Sequence, residues 1–307
     1  MIYAIYLNPT IDKTIYIDHF TIGGTNRVKS SILQGGGKAL NLSVVLNRLG
    51  VPVYVTGFLC NRECSPIRNG LEDILTSFYT LEGEPRVNIK IVDRTTSVTT
   101  EINDKGPIVS KEALCEFEKG LLHLVKPEDT VVLTGSLPQG CPPDYYCQLM
   151  AMLPCRCVLD ASGEALRQGV KQKPYLIKPN LEELGQLTGE SYTSEDMSAI
   201  IDACRHLIQD GIDICVVSMG GDGAIIVNAE EAYFSKAAVK NPDSTVGAGD
   251  SMLAGLLSVL NHGGGLDEAI AVGTAAAAAT ISLPGTTLAS SELIHQLLPT
   301  IHPEKIV

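Results

Sequence analysis

The order of apolar runs and turn residues predicts an α/β fold: a mostly parallel sheet covered by helices on both faces, with a small β-sheet lid. Three observations carry this. From Lys111 to Val227, short apolar runs ("DTVVLTGSLP", "RCVLDASG", "DICVVSMGGDG") alternate with amphipathic stretches such as "EALCEFEKGLLHLV". Strands that are apolar throughout are strands covered on both faces, as in a parallel sheet. Two other regions, "KTIYIDHF" with "NRVKSSIL" and "RVNIKIVD" with "TSVTTEIN", alternate with a period nearer two and interrupt that pattern. The chain has 307 residues, 45% of them hydrophobic, enough to bury one large core.

In chain order, Met1 to Leu7 reads as the first strand, ending at Asn8-Pro9. Residues 11–33 read as an antiparallel pair with a Gly23-Gly24 turn. Gly35-Gly36-Gly37-Lys38 then opens a helix, "ALNLSVVLNRLG", with Leu40, Val44, Val45 and Leu49 near helical spacing and Gly50 at its end. "VPVYVTGFL" is the next strand, and Arg86 to Asn103 a second hairpin. A helix near Asp144 to Met152 and the run "YLIKPN" follow. Next come helices at "LEELGQL" and "SAIIDACRHLIQDG", then strands at "GAIIVNA" and "AYFSKAAV". The organisation expected is a core of residues 1–11, 35–85 and 107–307, with residues 12–34 and 86–106 inserted as the lid.

A net charge of −12 and a pI near 4.9 argue against a nucleic-acid partner, which would require a basic face. The nine cysteines are scattered and several lie inside apolar runs, which reads as reduced thiols in a cytoplasmic protein. None stands at a zinc spacing. The N-terminus lacks a basic region and a cleavage site, and the uncharged run from Ala269 to Leu283 is too short to cross a bilayer, so no membrane association is expected.

Four motifs carry candidate chemistry. In "VGAGDSMLAG", Gly247, Ala248 and Gly249 can present backbone N–H groups at the start of a helix, an anion-binding arrangement. Asp250 follows them, and its spacing leaves two readings open: a helix N-cap, or an acid acting on whatever the loop binds. "QGGGKALN" is not a phosphate-binding P-loop, because Lys38 is followed by Ala39; alone it reads as a turn with a surface lysine. In "VVSMGGDGA", Ser218, Gly220 and Gly223 fit either a hairpin turn or the close approach of a nucleotide. "IKPNLEEL" puts Lys178 at a strand end, with Asn180 and Glu183 at the spacing of a capping box or of a pair organising hydrated Mg²⁺. The six histidines form no triad pattern, and Ser136 in "TGSLP" lacks the nucleophile-elbow glycines.

In this order, "GGGKALN", "IKPNLEEL" and "VGAGDSMLAG" resemble the motifs of the ribokinase-like carbohydrate kinases over nearly the whole chain. "LNPTID", "NRV" and "RVNIKIVD" resemble the 1-phosphofructokinase and tagatose-6-phosphate kinase branch. The resemblance implies an ATP- and Mg²⁺-dependent kinase of a sugar phosphate, with fructose 1-phosphate favoured and tagatose 6-phosphate next. A kinase of an unphosphorylated sugar or nucleoside, and a non-catalytic sugar-phosphate sensor, are the more distant readings.

The resemblance also implies roles. Asp250 matches the catalytic base, and Gly247, Ala248 and Gly249 its anion hole. Asp12, Gly36, Gly37 and Asn41 match the holders of sugar hydroxyls. Arg27, Lys38, Arg86 and Lys90 become candidates for the phosphate already on the substrate, with Asn88 and Ser136 beside them. Asn180, Glu183 and Lys178 match positions on the nucleotide side, with Ser218, Gly220 and Gly223 as the nucleotide loop. Glu183 and Asp160 would reach Mg²⁺ through water. Ala39 stands where the family carries glycine, and a methyl group fits there if the backbone φ is negative. The edges of the lid are expected to pair with a second subunit in a homodimer.

Overall fold

The computed structural model describes residues 1–96, 98–238, 245–283 and 285–307. The first half of the chain contains β1 (Ile2–Tyr6), β2 (Thr10–Ile17), β3 (Ser30–Gly36), α1 (Lys38–Arg48), β4 (Val53–Cys60), α2 (Ser65–Gly70), β5 (Leu75–Leu81), β6 (Arg86–Asp93), β7 (Val98–Ile102) and α3 (Lys111–Leu124). The middle contains β8 (Thr130–Thr134), α4 (Tyr145–Met152), β9 (Arg156–Asp160), α5 (Gly163–Gly169), β10 (Leu176–Ile177), α6 (Leu181–Thr188), α7 (Met197–Gln209), β11 (Ile214–Ser218), β12 (Ala224–Val227) and β13 (Ala232–Ser235). Helices α8 (Ala248–Leu260), α9 (Leu266–Ile281) and α10 (Ser291–Leu297) and a terminal strand β14 (Glu304–Lys305) complete it.

The main sheet has the order β14-β13-β12-β11-β10-β9-β8-β1-β4-β5. From β11 to β5 every neighbouring pair is parallel, and β12, β13 and β14 add an antiparallel edge. Strands β1, β8 and β11 are buried along nearly their whole length, which is why they read as continuous apolar runs. Chain order turns around β1, with β4 on one side and β8 on the other. The crevice beyond the carboxyl ends of the strands at such a switch point is where an open α/β sheet holds ligands.

The second sheet has the order β3-β2-β6-β7. Its two hairpins are antiparallel within themselves, but they join through β2 and β6, which run parallel in the register Thr10↔Arg86, Asp12↔Asn88 and Thr14↔Lys90. The Thr21–Gly24 turn lies within the longer 18–29 connection between β2 and β3. Successive side chains of a strand point to opposite faces, so Thr10, Asp12, Arg86, Asn88 and Lys90 share one face of this sheet.

Several elements escape the sequence pattern for physical reasons. Helix α9 is buried around most of its circumference and so carries an alanine-rich run rather than an amphipathic stripe. It crosses α8 closely, where Gly255 lies against the Val272 carbonyl and the Gly273 backbone. Strand β5 is an exposed edge with mixed polarity, and "YLIKPN" contributes only two strand residues. Helices α2, α5 and α10 are too short to show a period. The strand expected at "AYFSKAAV" spans Ala232–Ser235; its final residue, Val239, and Ser97 of "TSVTTEIN" lie outside the described residues.

Candidate active site

A cavity of about 370 Å³ lies between the second sheet and the carboxyl ends of the main-sheet strands. One face of the second sheet supplies Asp12, Arg86, Asn88 and Lys90 as its wall, as the register requires. Asp12 is buried; Asn88 Nδ2 donates to its Oδ1 at 3.3 Å, and the Lys90 ammonium stands 3.9 Å from its Oδ2. Gly36 packs directly on this carboxylate, so that a Cβ at that position would overlap it. Arg86 donates from Nε to Thr10 Oγ1 at 2.7 Å, and burial lowers the pKa of its guanidinium.

Two helix N-termini open on the opposite wall. Gly37 precedes α1 and Gly247 precedes α8, and neither helix start has a side-chain cap. Gly247 takes φ +77°, a conformation that favours glycine, and its Cα faces Leu288. The first N–H groups of both helices are therefore unclaimed by side chains, and both dipoles present their positive ends. Ala39 lies inside α1 with an ordinary helical φ, so the methyl that replaces the family's glycine fits without strain.

Asp250 is not the N-cap of α8; that position belongs to Gly247. Asp250 sits in the first turn, 7% exposed, and its Oδ2 accepts a hydrogen bond from Asn41 Nδ2 of α1 at 2.8 Å. Burial raises the Asp250 pKa above the ordinary aspartate value, Lys38 opposes that shift, and Asp160 adds to it. The capping alternative thus gives way to a carboxylate that faces the cavity and is tied to a second helix.

Behind this carboxylate, the fully buried Asp160 at the end of β9 binds two lysines. Lys38 Nζ lies 3.0 Å and Lys178 Nζ 3.4 Å from its Oδ1. Burial alone would raise the Asp160 pKa, but Lys178 and Lys38 hold it below the usual range. Burial alone would lower the Lys38 pKa, yet Asp160, Asp250 and Glu183 outweigh it and raise the ammonium above the ordinary lysine value. The Lys178 ammonium lies against the Cα of Gly249. Both cations are therefore gathered at the Asp250 end of the cavity. Lys38 is neither a free surface lysine nor a neighbour of Arg86 on the second sheet.

The remaining sequence candidates fall in three places. Asn180 and Glu183 form a complete capping box at the start of α6: Glu183 N donates to Asn180 Oδ1 at 2.8 Å, and Asn180 N to Glu183 Oε2 at 2.9 Å. Asn180 bridges to Ser218 on the neighbouring strand, and Gly220 and Gly223 form the turn into β12. This group stands beside the cavity rather than in its wall. Arg27 lies on the exposed 18–29 connection, also outside the wall. Ser136, at the end of β8, lines the cavity and accepts from Asn8 Nδ2 at 3.2 Å.

Glu101, Asn103, Gly135, Ala161, Ser162 and Val246 also line the cavity and were not singled out from sequence. Glu101 pairs with Lys90 across β6 and β7, so its position follows from strand alternation once the register is known.

Among the described residues no group of three metal-binding side chains exists, and the carboxylates of Asp160 and Glu183 already have protein partners. That donor set does not form a resident cage. It fits a Mg²⁺ that keeps most of its waters and arrives on a nucleotide's phosphates.

Comparison with known proteins matches residues 6–293 to the pfkB family of carbohydrate kinases. The 1-phosphofructokinase of Bacillus subtilis strain 168 is 35% identical over 306 residues, covering 98% of each chain. A Thermotoga maritima crystal structure described as a possible 1-phosphofructokinase is 25% identical, covers 100% of this chain and 99% of its own, and superposes with a TM-score of 0.85. Phosphofructokinase-2 of Escherichia coli, crystallised with substrates and products, has the same fold at 24% identity, with 97% and 98% coverage and a TM-score of 0.90.

Replacing Asp160 with Asn leaves the buried Lys178 ammonium without its anion and should cost about 3 kcal/mol in urea unfolding at neutral pH. The stability from this pairing is complete above the unfolded aspartate pKa of ~3.9 and is lost as pH falls through the lower folded value. The gap between wild type and Asp160→Asn should therefore close on acidification; a gap that is constant with pH would contradict the ion-pair account.

Proposed function

The chain belongs to the pfkB family of carbohydrate kinases, phosphotransferases acting on a sugar hydroxyl, and on that premise we propose that its acceptor is D-fructose 1-phosphate, converted with ATP to fructose 1,6-bisphosphate and ADP. The observation that carries this reading is the polarity of one cavity. Arg86 and Lys90 stand on the second-sheet wall, while Asp250 and two uncapped helix N-termini stand on the opposite wall. A substrate with a phosphate at one end and a reacting hydroxyl at the other fits that arrangement. The Bacillus subtilis relative supports the choice of sugar phosphate.

In this mechanism the Arg86 guanidinium receives the existing phosphate, with Lys90 next to it. Asp12, Asn41 and the Gly36-Gly37 backbone hold ring hydroxyls, and Asn88 and Ser136 complete the wall. Asp250 accepts the proton of the attacking hydroxyl as its oxygen forms a bond to the γ-phosphorus and the bond to the leaving ADP oxygen breaks. The N–H groups of Gly247 and Gly249 receive the charge on the transferred group, joined by that of Ala248 once it leaves the Thr245 carbonyl to which it donates at 3.3 Å, and Lys38 and Lys178 add positive charge at the same end. Lys38 is thus reassigned from the existing phosphate to the transferring one, because Asp160 holds it there. Ser218, Gly220 and Gly223 flank the nucleotide, beside Asn180. Mg²⁺ on the nucleotide would neutralise phosphate charge, with Glu183 reaching it through water. Arg27, outside the wall, would act only if the 18–29 connection closes over the substrate.

The second sheet serves as the lid that excludes water during transfer. Its outward face, set by strand parity, exposes Leu33, Val87, Val98 and Ile102. We assign that face to a homodimer contact. Light scattering should give twice the chain mass for wild type and a monomer for Leu33→Asp/Val98→Asp; a wild-type monomer at working concentration would contradict it.

A coupled assay of ADP release across fructose 1-phosphate, tagatose 6-phosphate, fructose 6-phosphate, ribose and adenosine tests the substrate. Fructose 1-phosphate should give the highest kcat/KM, and Asp250→Asn should lose about 10²–10⁴-fold in kcat with little change in KM. Faster turnover of tagatose 6-phosphate would transfer the assignment to that substrate. Preference for ribose or adenosine would remove the sugar-phosphate reading. No turnover of any of them would favour a sensor, and near-wild-type kcat in Asp250→Asn would remove the base.

A further inference from the structure

We infer that Thr10, a residue buried out of reach of the substrate, is the positioning residue that aims Arg86. The inference rests on the reading of Arg86 as the receiver of the substrate's phosphate. Thr10 and Arg86 are register partners across the parallel β2–β6 pair, so both side chains leave the sheet on the same face. Thr10 is fully buried, and its hydroxyl both donates and accepts a hydrogen bond. Its single proton goes to the Asn8 carbonyl at 2.8 Å, which leaves the oxygen lone pairs to accept Arg86 Nε at 2.7 Å.

Arg86 lines the cavity, and tying its Nε fixes the plane of the guanidinium while sparing the two terminal NH₂ groups, the fork that grips a phosphate through two parallel hydrogen bonds. The backbone is held as firmly as the side chain. Arg86 N donates to the Pro9 carbonyl at 3.1 Å, and Thr10 N donates to Tyr6 Oη at 2.8 Å. Tyr6 in turn donates to the Gly36 carbonyl at 2.7 Å. One buried chain of hydrogen bonds therefore runs from the arginine on β6 to the glycine loop that opens α1. It sets the spacing between the phosphate end of the cavity and the hydroxyl-holding loop before any substrate arrives.

The test uses the full-length enzyme with the ketohexose phosphate it turns over fastest. Thr10→Val keeps the size and the backbone bond to Tyr6 but loses the acceptor. It should raise KM for the sugar phosphate by about tenfold, as loss of one hydrogen bond to a charged group implies, with kcat and the KM for ATP within about twofold of wild type. Thr10→Ser should restore the wild-type KM. In an Arg86→Lys background, where no Nε exists, Thr10→Val should have no further effect on KM. Unchanged KM in Thr10→Val, or the same rise in both backgrounds, would overturn the positioning role. Unchanged KM in Arg86→Ala would instead remove the phosphate reading on which it rests, so the two failures are distinguishable.

Discussion

The hydrogen bond from Asn41 to Asp250 is the contact on which the rest of the site depends. It joins the first turns of α1 and α8, two helices that are far apart in the chain and pack against each other in the fold. A carboxylate buried at this depth is strongly destabilised in its charged form. It remains usable because Asn41 donates to it, Lys38 stands near it, and two helix dipoles point at the space in front of it. The same features suit an incoming phosphoryl group. An acid in a loop built for anions is thus no contradiction under the proposed function, in which a hydroxyl loses its proton there as negative charge arrives.

Asp160 extends this logic behind the site. It gathers two lysines at the Asp250 end, so their charges are balanced by Asp160 and Asp250 and neither buried carboxylate lacks a cation. On the other side, the second sheet presents its own cations at a distance fixed by the β2–β6 register. Each end of the cavity therefore sets cations against carboxylates, Arg86 and Lys90 with Asp12 and Glu101, Lys38 and Lys178 with Asp160 and Asp250, an arrangement that one strand slipping by a single residue would destroy.

Much of the fold was legible in the sequence because its signals are local. The apolar runs of β8, β9 and β11 and the stripe of α3 each reflect the environment of a single element. Gly247 and Asp250 were legible for the same reason, as a loop and a helix start contiguous in the chain. What was not legible depends on pairing. The parallel junction of the two hairpins places Glu101 in the wall and Thr10 behind Arg86, and no local pattern announces it. Lys38 looked like a surface residue because its partner, Asp160, is distant in sequence. Asn180 and Glu183 had two readings at one spacing; the capping box is present in the fold, and a role toward the nucleotide is an additional assignment rather than a replacement.

The central claim is that burial keeps the Asp250 carboxyl more basic than an ordinary aspartate while its neighbours keep it ionisable. Titration of carboxyl-labelled aspartate by ¹³C NMR, with the Asp250 resonance identified by its loss in Asp250→Asn, measures this directly. The account predicts a midpoint for Asp250 above the ordinary value of ~3.9. A midpoint at or below that value would contradict it, because the carboxylate would then be a solvated or fully paired structural anion rather than a base poised for proton transfer.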